Sequence, residues 1–264
     1  GLVNLVITES LYQNFVQGEL TFLDFGNLTD RLELNGQDFI QISFMTPGFS
    51  DRIIKKKFHI TTFTNLKLAY TGKGKEVTVG FISEDSYNNM QSKVVGSYKG
   101  TVSSIASKIG DAHFKTPFVS VKKTDNGHSF IIPAWSPAKT MNWLTKRAVS
   151  ASNREDCSFM FYENMDGKHF NSIHSLSTNT PSANYNYFQP NVPVDLSTDA
   201  GLYRKFTQIE DLQFRRYFDK IKEINNGVYA SGMATLNMVT KEYTGSKFDY
   251  LDHFDRTDSV EKYP

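Results

Sequence analysis

Thiols are almost missing from this chain. Cys157 is the only cysteine in 264 residues, so an internal disulfide framework is excluded. Excess charge is nearly absent as well. Twenty-nine Lys and Arg stand against 28 Asp and Glu, for a net charge of +1, and no long basic run occurs. That balance argues against tight nucleic-acid binding, which needs several phosphates neutralised at once. No apolar run reaches the length a bilayer demands, and no signal peptide opens the chain. The expectation is a soluble protein made in a reducing compartment. Internal repeats at periods of 20 to 50 residues are lacking too. The chain starts at Gly1 without an initiator Met and stops at Pro264 after a polar run. Both ends are expected to be limits of a segment.

Reactive motifs are equally scarce. There is no Gly-x-Ser-x-Gly, no His-Glu-x-x-His and no dinucleotide fingerprint. Gly72-Lys73-Gly74-Lys75 lacks the Walker spacing and a following Ser or Thr, so it reads as a hairpin tip. Cys157 opens a predicted core strand and is expected to be buried and structural rather than nucleophilic. His169 and His174 lie five apart on a predicted strand, so they should point to opposite faces and cannot share one ion. Asp249, Asp252, His253 and Asp255 leave two readings open. Asp252 and Asp255 at i, i+3 could share a metal on a helix, but the calcium-loop glycine and spacing are missing, which favours a solvated charged face. The sequence therefore assigns no catalytic, cofactor-binding or metal residue, and the expectation is a protein that is not an enzyme.

Aromatics are plentiful: 21 Phe and 13 Tyr, within an aromatic share of 14%. They suit a packed, β-rich core. Residues 1 to 98 alternate with period 2 almost throughout. Leu20 and Phe22 share a face over 19–25, and Ile40, Ile42 and Phe44 share one over 39–44. Leu66–Tyr70 should turn back at Gly72-Lys73-Gly74 into Val77–Ile82. The Lys55-Lys56-Lys57 trio reads as a solvated strand edge that blocks unwanted pairing.

From Thr101 the period changes. Val102, Ile105, Ala106 and Ile109 fall at helical spacing, with Thr101 as cap and Gly110 as the end. Phe118–Val121 is extended, and Asp125-Asn126-Gly127 leads into Phe130–Ile132. Ser136-Pro137 is a strong helix start, and Met141, Leu144 and Ala148 give that helix one apolar face. A hairpin follows: Ser158–Glu163, a turn at Asn164–Gly167, and Lys168–His174 returning. This helix and hairpin, 133 to 174, are the stretch the chain is organised around. Beyond them lies a polar, Pro-punctuated connector over 177–200, in which Tyr185, Tyr187 and Phe188 should form an edge strand. Phe214, Phe218 and Ile221 should share a helix face, with Tyr217 and Ile224 alongside and Asn225-Asn226-Gly227 as the stop. Val228–Glu242 alternates weakly, as a strand does, before a charged tail.

Two stretches carry a likeness. Gly18-Glu19-Leu20-Thr21-Phe22-Leu23-Asp24 and Leu34-Asn35-Gly36-Gln37-Asp38-Phe39-Ile40-Gln41-Ile42-Ser43-Phe44 resemble the N-terminal part of the central baseplate hub of T-even phages. The later order, a helix like 102–109 and then a helix like 136–148 feeding a hairpin like 159–170, is similar too. Late-control tail proteins and type VI secretion spike proteins share this arrangement. The likeness covers most of the chain as short matches without one signature motif. It implies an α+β fold with tail-tube-like antiparallel β-barrel domains and an inserted small α/β module. The implied division is a tube-like domain over 1–100, the inserted module over 101–190, and a second, incomplete tube-like domain over 191–264.

The implied role is a structural baseplate hub, a homotrimer joining the sixfold tail tube to the threefold central spike. Its implied partners are the tube or tube-initiator protein, the spike, the tape measure protein and the surrounding wedge proteins. DNA would pass through the bore without specific binding, and there would be no membrane insertion. The protein would reside in the virion after synthesis in the host cytoplasm. Two alternatives stand beside it. One is a receptor- or carbohydrate-binding tail module using Tyr185–Phe188. The other is a cell-wall-degrading enzyme, which would need an acidic pair roughly 5–10 Å apart in a cleft.

Overall fold

The computed structural model describes residues 1–31, 37–45, 53–68, 74–154, 156–180, 183–187, 197–209, 211–213 and 219–254. The chain divides into two compact units. The first comprises Gly1–Asn179 with Asp195–Tyr203, and the second Thr180–Val194 with Arg204–Pro264.

The first unit opens with β1 (Leu2–Thr8), β2 (Gln17–Asp24), α1 (Leu28–Arg31), β3 (Phe39–Phe44), β4 (Ile54–Leu68) and β5 (Lys75–Ser83). These strands form one antiparallel sheet in the order β1-β2-β5-β4-β3. The expected alternation of β3 holds in part. Ile40 and Ile42 turn inward with Leu20, Phe58 and Phe81, and Val16, Leu5, Ile7 and Met165 complete that core, whereas Phe44 is exposed. The Leu68–Lys75 pairing confirms the expected β4–β5 hairpin, whose tip around Gly72 and Lys73 lies outside the described residues. Gly36 and Gly48 lie outside them too.

Among the described residues period 2 is interrupted at two helices the sequence reading missed, the short α1 and a second one further on. After β5 the chain forms α2 (Glu84–Gln91), whose first turn is capped by the Ser83 hydroxyl accepting from the Ser86 N–H. Glu84 and Asp85 then occupy the first helical turn, where carboxylates favour the exposed N–H groups.

Next come β6 (Val94–Thr101), α3 (Val102–His113), β7 (Phe118–Val121), β8 (Gly127–Trp135), α4 (Pro137–Thr145), β9 (Phe159–Glu163), β10 (Lys168–Ser172) and α5 (Ile173–Ser177). Strands β6 and β8 pair antiparallel, and β7, β10 and β9 make a second sheet with β10 at its centre. The Thr101 and Ser136 caps form as expected. Val102, Ile105, Ala106 and Ile109 of α3 pack with Met141, Leu144, Phe159 and Phe170 in the larger core. Each of these side chains larger than alanine contributes roughly 1.5–3 kcal/mol on full burial.

Three boundaries differ from expectation, each for a local reason. Gly110 does not end α3, which runs on to His113. A Cβ at Gly110 would lie 2.1 Å from the Phe118 ring, so this glycine makes room for packing instead of closing the helix. Helix α4 stops at Thr145, and Ala148 joins the core from the following turn. Strand β10 ends at Ser172, whose hydroxyl caps α5, so His174 is helical. At the β9–β10 turn Gly167 does take a positive φ of 149°.

The rest of the chain carries β11 (Asn186–Tyr187), α6 (Asp199–Phe206), β12 (Gln208–Ile209), α7 (Lys220–Asn225), β13 (Ala230–Asn237), β14 (Glu242–Asp249) and α8 (Tyr250–His253). The expected stop at Asn225-Asn226-Gly227 is there, with Asn226 as cap and Gly227 at φ 71°. Ile221 and Ile224 are exposed, while Phe214, Tyr217 and Phe218 lie outside the described residues. The strand expected over 228–242 is the shorter β13, and a second strand, β14, occupies the stretch read as the start of the charged tail; the two pair antiparallel with all residues exposed. Lys241 takes a positive φ of 58° in the connection, a position where a weakly alternating sequence conceals the turn.

Candidate functional site

The edges that the described strands give the five-stranded sheet are the first candidate surface. The order ends on β1 at one side and β3 at the other. Near the β1 edge Leu2, Val3 and Val6 are exposed, and near the β3 edge Phe39, Phe44 and Met45 are. An edge strand presents unpaired backbone N–H and C=O groups, and apolar side chains beside it favour pairing with another chain. The Lys55–Lys57 trio does not guard such an edge. It pairs with Ser43, Ile42 and Gln41 of β3 from an inner strand. The Lys57 ammonium stands 3.7 Å from the centre of the Phe39 ring, and Lys56 Nζ donates to the Asn164 carbonyl at 3.4 Å.

The second feature holds that sheet to the β9–β10 hairpin. Lys168 and Asp85 form an ion pair whose side chains are both fully buried. The Asp85 carboxylate also accepts from the Lys115 N–H at 2.7 Å and the Thr116 N–H at 3.0 Å. Lys168 Nζ donates in addition to the Thr116 carbonyl at 2.7 Å and lies over the Phe114 ring. Burial works to raise the Asp85 carboxyl, but the Lys168 and backbone bonds outweigh it and hold it below its ordinary value. Nearby, Glu163 Oε2 accepts from Ser83 Oγ at 2.6 Å and from the Val16 N–H at 3.3 Å. Here burial prevails over those bonds and over Lys168 and Lys56, and the carboxyl is pushed up. Glu9 accepts from the Met165 N–H, and Asn14 and Asn142 exchange two amide hydrogen bonds at 2.7 and 3.0 Å.

The side chains singled out in the sequence fall apart in space. Cys157 is exposed, against expectation. Asp156 takes the buried position and bonds Ser158 and Ser172, which leaves the next residue facing out. His169 is buried, stacked on Tyr162 with ring centroids 4.9 Å apart, and bonded to Asn164 at 3.0 Å. Burial lowers its pKa, against a raising pull from Asp166. His174 sits on α5, so the two histidines occupy different elements. Asp249 caps α8 through the Leu251 N–H, Asp252 is exposed, and His253 stacks on Phe248. Asp255, Phe188 and the glycine-lysine tip at 72–73 lie outside the described residues. Tyr185 and Tyr187 are exposed beside the short β11–β12 pairing.

Sequence reasoning missed one serine–histidine contact. Ser92 Oγ lies 2.7 Å from His113 Nδ1, in an open cleft that also holds Gln91 and Lys115. Activation of a serine needs a base that a third group orients. No carboxylate bonds the other ring nitrogen of His113 among the described residues. Ser92 is the C-cap of α2 and His113 the last residue of α3, so the pair ties one helix end to the other.

No known family model matches the chain, and no curated protein does. Several solved structures are similar at low identity. The 43 kDa tail protein of prophage MuSo2 from Shewanella oneidensis is 11% identical with a TM-score of 0.46, over 73% of this chain and 55% of that one. A tail protein from Neisseria meningitidis is 11% identical with a TM-score of 0.44, over 71% and 51%. A component of the E. coli type VI secretion system, itself structurally similar to T4 bacteriophage tail proteins, is 13% identical with a TM-score of 0.36, over 64% and 48%. The chain thus spans about half the length of the solved structures it resembles.

Proposed function

We propose that this chain is a structural, non-enzymatic component of a phage-type tail baseplate, acting as the central hub. It joins the sixfold tail tube to the threefold spike and leaves a bore for DNA. The observation that carries the reading is the five-stranded antiparallel sheet, which among the described residues ends on β1 and β3 with exposed apolar side chains beside both. Such edges pair with neighbouring copies, and a closed ring is how head-to-tail contacts end without a filament. Two tube-like domains per chain, 1–100 and 191–264, let three copies present six similar positions to the tube. The near-neutral net charge of +1 suits a bore that passes DNA without retaining it. The partners in this reading are two further copies, the tube or tube-initiator protein and the spike, with tape measure and wedge proteins around them, all in the virion. The test is Phe44→Lys. It places a charge on an exposed edge position and should leave the subunit folded while preventing ring formation. Rings that form normally with this variant would remove the edge from the account.

A second reading, a receptor- or carbohydrate-binding tail module, is favoured by one observation. Tyr185 and Tyr187, two apart in extended chain, are both exposed. Tyr185→Ala with Tyr187→Ala should then abolish host adsorption while particles assemble normally.

A further inference from the structure

The sheet of the inserted module has a cleft that the hub reading does not use. Strands β7 and β10 run parallel as neighbours. At their shared carboxyl end the chain leaves in two directions, β7 into Lys122 and Lys123 and β10 into α5. Neighbouring parallel strands whose continuations diverge open a crevice at that end, where ligands of open sheets commonly lie. Here the crevice measures about 550 Å³. The Ala151–Ser152 turn forms its third wall, tied in by the Ala151 N–H donating to the Lys123 carbonyl at 3.1 Å.

Its lining has a definite chemistry. Lys122 and Lys123 stand at the wall, with the hydroxyls of Ser120, Ser152 and Ser175 and the amide of Asn171 around them. Asn171 is buried, and its Oδ1 accepts from Ser120 Oγ at 2.9 Å, so the polar floor is held in place. Among the described residues no carboxylate and no aromatic ring lines the space. Among the described residues neither lysine ammonium has an ion-pair or hydrogen-bond partner. Two lysines among the residues that line a concave wall concentrate positive potential. Hydroxyls and an amide beside them supply directional bonds to oxygen. A nucleobase or a neutral sugar would find no stacking platform here.

The geometry points to a binding site for an oxyanion-bearing ligand of about sugar size, a phosphate or the carboxylate of an acidic saccharide, held by Lys122 and Lys123 over the Ser120–Asn171 floor. This rests on the cleft alone and stands or falls separately from the hub role.

The experiment is a titration of the full chain followed by amide NMR, with sodium phosphate, sodium glucuronate and glucose as probes and sodium chloride at matched ionic strength as control. The expected result is saturable shifts at Ser120, Lys122, Lys123, Ser152 and Ser175 with phosphate, glucuronate or both, and none with glucose or chloride. Lys122→Ala and Lys123→Ala should each weaken the response by about tenfold, the value of one charge-assisted bond. Lys123 is exposed and Lys122 half-buried, with no bond from either ammonium among the described residues, so the variants retain the fold. Saturation by phosphate alone assigns a phosphate ligand, and by glucuronate alone an acidic saccharide. Shifts that follow chloride equally, that appear with glucose, or that persist unchanged in both variants would overturn the site.

Discussion

Lys168 and Asp85 meet as an ion pair fully withdrawn from water although 83 residues separate them. Lys168 begins the central strand of one sheet, and Asp85 sits in the first turn of the helix that leaves the other. The pair joins the two parts of the first unit. Its desolvation cost is offset by the bonds Asp85 receives from Lys115 and Thr116. Replacing one partner leaves the other charge buried alone. Lys168→Met is expected to lower unfolding stability by about 3–5 kcal/mol. Lys168→Met combined with Asp85→Leu should recover much of that loss. Urea denaturation of the three proteins checks this, and equal losses in the single and double variants would contradict it.

Glu163 should give stability an unusual pH dependence. Burial raises its pKa in the folded protein, so the folded state holds this proton more tightly than the unfolded chain. Its contribution is complete below the ordinary carboxylate range and is lost as pH rises through the raised value. Asp85 acts in the opposite sense, with stability present above its ordinary value and lost as pH falls through its depressed one. The difference in Tm between the native chain and Glu163→Gln should therefore shrink, or reverse, as pH rises from the ordinary carboxylate range towards neutrality. A difference constant with pH would show that Glu163 does not titrate as its surroundings dictate.

Gly110 reverses a usual rule. Glycine to alanine inside a helix ordinarily stabilises by about 1 kcal/mol. Here the new methyl would press on the Phe118 ring at 2.1 Å. Gly110→Ala is expected to destabilise by roughly 1–3 kcal/mol, measured by chemical denaturation.

Cys157 is exposed, so its thiol should react with a disulfide reagent in the native protein without denaturant. Cys157→Ala should change stability by no more than about 0.5 kcal/mol. A thiol that reacts only after unfolding would restore the buried reading.

Short-range chemistry was legible in the sequence. Ser136 before Pro137, Thr101 before Val102, and Gly167 in its turn each act through neighbours within four residues, and each forms as read. What failed depends on distant partners. Nothing local marks Gly110 as a packing glycine, because Phe118 reaches it only after the chain has turned back. Lys168 in an alternating strand looks like a solvent-facing residue, and its burial follows from β10 being central and covered on both faces. Cys157 was misplaced because Asp156, a residue type seldom buried, takes the inner position through its bonds to Ser158 and Ser172. The cleft at Lys122 and Lys123 arises from β7 and β10 running side by side, a pairing no spacing in the sequence announces.

The central claim is that three copies of this chain form a ring beneath a sixfold tube. Electron-microscopic imaging of the assembled tail tip tests it most directly. The account predicts three copies of the chain, with near-sixfold symmetry on the face towards the tube and threefold symmetry towards the spike. Six copies in one ring, or a single copy beneath a different ring, would contradict it.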